Sequence, residues 1–396
     1  MTQTSKCIVP AALLLIALSG CVTSSKHPAE PPLPYTAVNW SQIDGWTHDT
    51  THEAWSAFLN SCKARGKRPE WQAVCASAQE QTIVDPAAAR QFFEARFTPY
   101  RLLKDQDAQR PRDTGLITGY YEPLLYGARK PGLTFTVPLY ARPDDLLTID
   151  LTSLYPDLKG KTLRGRLQGK KVIPYYSRAE LDNAPLLNGK ELVWVEGALD
   201  AFYLQVQGSG RVQLPEGQVI RLAYTDQNGH PYRSIGRYLV EKGELTVAQA
   251  TAQGIRDWVE AHPARTREVL HSNPSMVFFR EERIVDAREG PKGALAVPLT
   301  PGRSLAVDPT FIPLGAPVFL STTHPATGIP LRRLMMAQDT GSAIKGNVRA
   351  DFFWGFGKSA GEAAGRMRQE GQMWLLWPKG QPLAQQFTSV SRKDPG

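Results

Sequence analysis

Apolar residues recur at three- and four-residue spacing in three early segments, 54–64, 71–79 and 85–97. That period is one face of a helix, and Asp85-Pro86 supplies an N-cap followed by a first-turn proline. Three helices packing as ordinary core are expected there. Beyond Gly115 the texture changes to short alternating or apolar runs bounded by Gly and Pro. These lie at 115–121, 134–139, 191–196, 201–207, 210–214 and 218–224, and each predicts a strand. The helical period returns at 233–242 and 246–262, with Gly243 placed to cap the first of these. Strands resume at 275–279, 304–307, 318–321, 331–337 and 372–377. The order helices, strands, helices, strands predicts one β domain inserted within a mixed one, and a length of 396 residues suits two domains.

The N-terminus has a different pattern. Lys6 precedes an apolar run from Ile8 to Leu18, too short to span a bilayer, so 1–20 reads as a secretory signal. Leu18-Ser19-Gly20-Cys21 resembles a bacterial lipobox, which would make Cys21 the lipidated first residue of the mature chain; a cleaved signal with a chance cysteine is the alternative. Val22 after that cysteine, where Asp would retain a lipoprotein elsewhere, implies the outer membrane, facing the periplasm. Serines and four prolines (Pro28, Pro31, Pro32, Pro34) then suggest an extended tether over 21–37.

Composition narrows the class. A hydrophobic content of 42% is enough for real cores, and 46 Lys+Arg against 38 Asp+Glu give a formal charge of +8 without a long basic block. Nucleic acid is thereby disfavoured as a partner, and an acidic polymer or polyanionic surface stays open. Of the four cysteines, Cys7 leaves with the signal. Cys62 and Cys75 could close a short disulfide loop in an oxidising compartment or stay as buried thiols. No Cys/His spacing resembles a metal site, so no metal is expected.

Candidate chemistry sits on aspartates. Asp339-Thr340-Gly341 follows the apolar run Leu334-Met335-Met336-Ala337, the way aspartic proteases present a carboxylate. Such a protease needs two of these turns sharing one proton. The other match, Asp113-Thr114-Gly115, lies in a different context, and neither is followed by the apolar segment that would brace a protease loop. Twelve residues after Asp339, Asp351 lies beside Phe352, Phe353 and Trp354, where burial would raise its pKa and let it act as a general acid. Asp308 ends a third apolar strand before a Pro- and Gly-marked turn.

Together, Val307-Asp308-Pro309 with Ile312-Pro313-Leu314-Gly315, the stretch from Asp339 to Gly346, and Arg349 to Gly355 resemble the three-aspartate domain of bacterial cell-wall enzymes. Upstream, Thr118-Gly119-Tyr120-Tyr121-Glu122-Pro123, Leu204 to Gly210 and Asn228 to Gly236 are similar to the membrane-bound lytic murein transglycosylase A family. The resemblance runs from about Phe92 to Trp377. It implies a mainly β fold with α: a double-psi β-barrel domain, an inserted second β-barrel domain and a helical N-terminal section, with a groove between the barrels. Expected boundaries are a 1–20 signal peptide, a 21–37 tether, a discontinuous barrel from 38–120 with 236–396, and an insert at 121–235. Ser342 stands where many members have glycine, which leaves the carboxylates unaffected.

By that resemblance Asp351 is the single catalytic acid/base, and Asp339 and Thr118 are its neighbours. The implied reaction cleaves the MurNAc-β-1,4-GlcNAc bond of peptidoglycan, with the substrate's own C6 hydroxyl as nucleophile and 1,6-anhydroMurNAc as product. Asp339 is expected to orient or electrostatically support the acid, or to make a turn contact; Asp308 binds substrate or caps its loop. Tyr120, Tyr121, Gln207, Gly208, Ser209, Gly210 and Arg233 are candidates for glycan contact, and Lys345 and Arg349 for substrate carboxylates. His230 lies in a turn and reads as a surface histidine. No cofactor is called for. Expected partners are glycan strands, the outer membrane through the anchor, and wall-remodelling proteins. A non-catalytic peptidoglycan-binding lipoprotein and a hydrolytic glycosidase stay open as alternatives.

Overall fold

A computed structural model describes residues 1–2, 35–104, 112–158, 161, 163–284 and 286–383. Nearly all of the signal sequence, Cys21 and the tether as far as Pro34 lie outside the described residues. The last three tether positions, Tyr35–Ala37, instead form strand β1, with Tyr35 buried and its hydroxyl donating to the Phe311 carbonyl at 2.6 Å. A proline-rich approach hid a residue whose ring finds a place in the core.

Three helices follow: α1 (Trp55–Arg65), α2 (Pro69–Gln79) and α3 (Pro86–Arg96). The Asp85 carboxylate accepts from the Ala88 amide at 2.9 Å, the N-cap read from sequence. Trp71, Val74, Cys75 and Ala78 line the buried face of α2 at helical spacing. Cys62 of α1 and Cys75 of α2 are disulfide-bonded, their Cα atoms 5.2 Å apart. By chain-entropy arguments such a short loop contributes about 3 kcal/mol.

Strands β2 (Phe97–Leu102), β3 (Thr114–Glu122), β4 (Leu124–Ala128), β5 (Val137–Tyr140), β6 (Leu147–Ile149), β7 (Leu163–Gln168) and β8 (Lys171–Pro174) come next, then helix α4 (Arg178–Asn183) and β9 (Glu191–Val195). Residues 201–207, expected as a strand, belong to helix α5 (Ala198–Gln207). The aromatic and β-branched residues there favour strand locally. What decides is that Ala201 and Leu204 pack on a sheet while Leu199 and Phe202 pack on helices, a helical division. Gly208 ends α5 with φ 77°, a left-handed cap.

After β10 (Ser209–Gln213) and β11 (Val219–Gln227), helices α6 (Ile235–Glu241), α7 (Ala252–Ala261) and α8 (Thr266–His271) pack on α5. Then come β12 (Val277–Arg283), β13 (Ser304–Val307), β14 (Pro317–Thr323), β15 (Pro330–Asp339), β16 (Ala350–Phe356), helix α9 (Lys358–Arg366) and β17 (Arg368–Pro378).

The described strands form an eight-stranded sheet in the order β1-β2-β17-β14-β15-β13-β16-β3, in which β17 pairs also with β3. A six-stranded sheet runs β12-β11-β10-β4-β9-β5, and a small one β6-β7-β8. The six-stranded sheet is an open row whose far ends meet in one bridge, Ala141 with Phe279, so it is not the closed second barrel expected. Nor does that body end at 235: β12 pairs with β11 along its length and α6–α8 cover α5, so the chain leaves it after Arg283. The large core lies between helices α1–α3 and the eight-stranded sheet, with Phe58, Phe93, Phe97, Phe319 and Trp374 at its centre.

The two crossings between the sheets are fastened together. Glu122, at the end of β3 and fully buried, accepts from Arg211 Nε at 2.8 Å and Arg221 Nε at 2.5 Å. The same guanidinium groups donate to the carbonyls of Ala287 and Glu289 on the returning chain.

Candidate active site

Strands β3 and β16 run parallel with Thr118 opposite Asp351, Gly119 opposite Phe352 and Tyr120 opposite Phe353. Side chains alternate across a sheet, so Thr118, Tyr120, Asp351 and Phe353 share one face. The three aromatics after Asp351 therefore do not all surround it. Phe352 and Trp354 turn to the other face, their rings 4.6 Å apart and packed into the large core. A side chain at Gly119 would meet the Trp354 indole nitrogen at 2.6 Å and α9 at 3.0 Å, so glycine lets that back layer close. Only Phe353 stays with the carboxylate, in a small cluster with Tyr120, Leu299, Ala306 and Ile344.

Register sets the two aspartates together. Strand β13 lies between β15 and β16, and its Ala306 is opposite Asp339 on one side and Asp351 on the other. A small residue thus separates two carboxylates projecting from the same face.

Thr118 Oγ1 donates to Asp351 Oδ1 at 2.5 Å. Tyr120 Oη donates to Asp339 Oδ2 at 3.0 Å, and the amides of Ala294 and Thr340 both donate to Asp339 Oδ1 at 2.9 Å. Among the described residues neither aspartate is in an ion pair. Burial pushes the Asp351 carboxyl up to about 6; the negative neighbour Asp339 adds to the rise, while the Thr118 bond and nearby Arg349 oppose it. Burial also raises Asp339, against the pull of its three donors. Burial and both carboxylates hold the Tyr120 phenol well above its usual range, so it stays a donor. A half-buried carboxyl in such surroundings can carry a proton near neutral pH and release it to a bound ligand.

The remaining sequence candidates fall into distinct places. Asp308 is buried and accepts from the amides of Thr310 at 3.1 Å and Gly346 at 2.9 Å, pinning the return of the 341–346 loop. Ser209 is buried with its hydroxyl donating to the Leu222 carbonyl, and Gly210 is required because a Cβ would lie 2.5 Å from Leu204. Gln207 accepts from the Tyr121 amide at 3.2 Å, joining the end of α5 to β3, and the Tyr121 ring packs on Gly361 of α9. Arg233 and Lys345 are exposed. Arg349 donates to the carbonyls of Leu116 and Ala350 rather than to a carboxylate. His230 is half-buried, its Nε2 2.7 Å from the Tyr175 carbonyl, rather than a free surface group. Asp113 accepts from Gln372 at 2.7 Å and lies 3.5 Å from Arg101, so the second Asp-Thr-Gly builds no second catalytic turn.

One contributor escaped sequence reasoning: the hairpin that brings the Ala294 amide to Asp339. Gly290 and Gly293 are the only local signal of a turn there, and nothing in the sequence ties it to a residue 45 positions later.

Comparison with known proteins gives the family. Residues 116–280 match the MltA specific insert domain and 303–377 the 3D domain. The membrane-bound lytic murein transglycosylase A of Escherichia coli K12 is 34% identical over 266 residues, 65% of this chain and 64% of that protein. The match thus spans just under two thirds of that relative's length. The crystal structure of MltA from Neisseria gonorrhoeae superposes with a TM-score of 0.77 at 38% identity, covering 88% of this chain and 93% of that one. Escherichia coli MltA with bound chitohexaose superposes with a TM-score of 0.66 at 27% identity, covering 87% and 94%.

Proposed function

The chain belongs to the membrane-bound lytic murein transglycosylase A family, and from that premise we propose that it cleaves the MurNAc-β-1,4-GlcNAc bond of peptidoglycan, leaving a 1,6-anhydroMurNAc end. The observation that carries this reading is the state of Asp351: half-buried, pushed up to about 6, bonded to Thr118 and outside any ion pair among the described residues. Protonated Asp351 gives its proton to the glycosidic oxygen as GlcNAc leaves. The C6 hydroxyl of the same MurNAc attacks C1, and the Asp351 carboxylate takes the hydroxyl proton. One C–O bond breaks, one forms, and no water is consumed. Positioned proton transfer supplies roughly 10²–10⁴-fold, and attack within one sugar adds a proximity advantage.

A hydrolase would need a second carboxylate as base or nucleophile. Asp339 suits that role poorly, since three donors already occupy its oxygens. The chitohexaose complex of the Escherichia coli relative supports an oligosaccharide ligand. Exposed Lys345 meets substrate carboxylates, exposed Arg233 and Tyr121 meet the sugar, and Gln207 to Gly210 shape the wall between α5 and β3. In the same reading the eight-stranded sheet is a double-psi β-barrel, supported by the pairing of β17 with both β14 and β3. The glycan lies between it and the inserted body. Cys21 is acylated and holds the protein at the outer membrane, facing the periplasm, where wall-remodelling proteins are its neighbours. Among the described residues no helix is long and apolar enough to cross a membrane.

Mass spectrometry of fragments released from purified peptidoglycan, by this protein and by Asp351→Asn, tests the reading. Anhydro-muropeptides from the parent and none from the variant are expected. Products heavier by one water indicate a hydrolase, fragments from both proteins remove Asp351 from its role, and none from either leaves a glycan-binding lipoprotein.

A further inference from the structure

Ala296 is the one non-glycine among the described residues with a left-handed backbone, φ 62°. A Cβ makes that conformation costly, and such outliers persist only where their surroundings hold them. Here the surroundings are a hairpin. Lys292 bridges Pro298, Gly290 donates to the Leu299 carbonyl at 3.0 Å, and Gly293 to the Val297 carbonyl at 3.1 Å. Leu295, Val297 and Leu299 are buried anchors, while Ala294 and Ala296 are exposed.

The tip of this hairpin is fixed to the aspartate strand. The Leu295 amide donates to the Gln338 carbonyl at 3.0 Å and the Ala294 amide to Asp339 Oδ1 at 2.9 Å. A Cβ at Gly293 would lie 2.5 Å from the Gln338 carbonyl oxygen and 3.1 Å from Asp339 Cβ; one at Gly290 would lie 2.8 Å from the Phe353 ring. Hairpin, Asp339 and the strand carrying Asp351 thus touch at close quarters. Gln338 is itself immobilised, donating to the Ala57 carbonyl and Ser61 and accepting from Ser304.

We infer that the 290–299 hairpin is a positioning device for the reaction, its left-handed residue Ala296 aiming the Ala294 amide at Asp339 and so fixing that carboxylate as the charged neighbour of Asp351. The inference rests on the reading of Asp351 as the acid. The bond from Ala294 favours ionised Asp339, and the charge of Asp339 favours the protonated form of Asp351. The other titratable or charged groups that act on the pair are Tyr120 on β3 and Arg349 just before β16, and Thr118 adds its hydroxyl; Lys292 is on the hairpin, Lys345 on the loop after Asp339 and Asp308 just past β13.

The test uses the full chain in detergent on soluble peptidoglycan glycan fragments, with initial rates followed against pH. Ala296→Gly and Ala296→Asn accept the left-handed backbone and should keep the parent's profile within about twofold. Ala296→Val should lower kcat about tenfold with KM within about twofold, and its pH profile should narrow from both sides. The acid-side limb rises as Asp339 becomes harder to ionise, and the basic limb falls as Asp351 loses its proton sooner. A uniform loss across pH, a rise confined to KM, or an unchanged profile for Ala296→Val overturns the inference, as does loss of activity in Ala296→Gly. Should Ala296→Val not fold, Ala294→Pro, which deletes the donor itself, decides by the same criteria. Asp351→Asn run alongside separates the two ideas: if it stays active, the reading of the acid fails, whatever the hairpin variants do.

Discussion

Strand β3 meets buried carboxylates twice. Near its middle, Thr118 and Tyr120 face Asp351 and Asp339, which are held only by hydroxyls and backbone amides. At its end, Glu122 is gripped by the guanidinium groups of Arg211 and Arg221, themselves buried, and through them by two backbone carbonyls. Glu122 is fully buried and the two aspartates half-buried, but the deciding difference is in the partners. Matched by two cations, the Glu122 charge becomes a fastener between the sheets. Without a cation in bonding contact, Asp351 is left with a carboxyl that burial pushes up to about 6. A buried acid becomes chemically useful where the fold withholds its counter-ion.

The largest effect expected from that contrast is on Glu122. Replacing it with Gln leaves two buried guanidinium groups without a charge to match, which costs about 3–5 kcal/mol of stability. Urea unfolding measures it, and a midpoint equal to the parent's would end the distinction between fastener and acid. Next is the pH profile. In the proposed mechanism Asp351 acts first as an acid, so above the acid-side limb set by Asp339 activity is lost as pH rises through about 6. A single ionisation gives about a fiftyfold fall from pH 6 to 8, and a basic limb above 8 would show that Asp351 is not the titrating acid. The smallest effect is on stability at the site. The folded-state pKa of Asp351 is raised from the ordinary 3.8 to about 6, so its contribution is full below about pH 4 and lost as pH climbs through 6. Asp351→Asn, uncharged throughout, should therefore be more stable than the parent by about 1–3 kcal/mol at pH 7 and equal to it at pH 4. Melting at the two pH values checks this; a variant destabilised at both would place Asp351 with Glu122.

Much of this was legible in the chain because the signals are local. The apolar runs at 304–307 and 331–337 gave strands β13 and β15, and Asp85-Pro86 gave the start of α3. Asp339 and Asp351 stood out by the residues around them. Where local preference and packing disagreed, the reading failed. Residues 201–207 look like a strand but are sandwiched as a helix between a sheet and α6–α8, and Tyr35 looked like part of a tether but is pinned by a carbonyl of residue 311. Ser209 and Gly210 sit in a motif that suggested glycan contact, yet their hydroxyl and missing side chain serve β10 and Leu204.

The sequence by itself determined which stretches become helix or strand at most positions, the helix caps, the pair of cysteines and the identity of the aspartates, because each depends on spacing within a dozen residues. Tertiary structure alone decided which face each aromatic after Asp351 takes, that Ala306 sets Asp339 and Asp351 side by side, that Thr118 and Tyr120 each serve a different carboxylate, and that an amide from residue 294 completes the site. Those facts depend on pairings across separations of 33 to 233 residues. A slip of one residue in any of these strands would turn the same side chains to the opposite face.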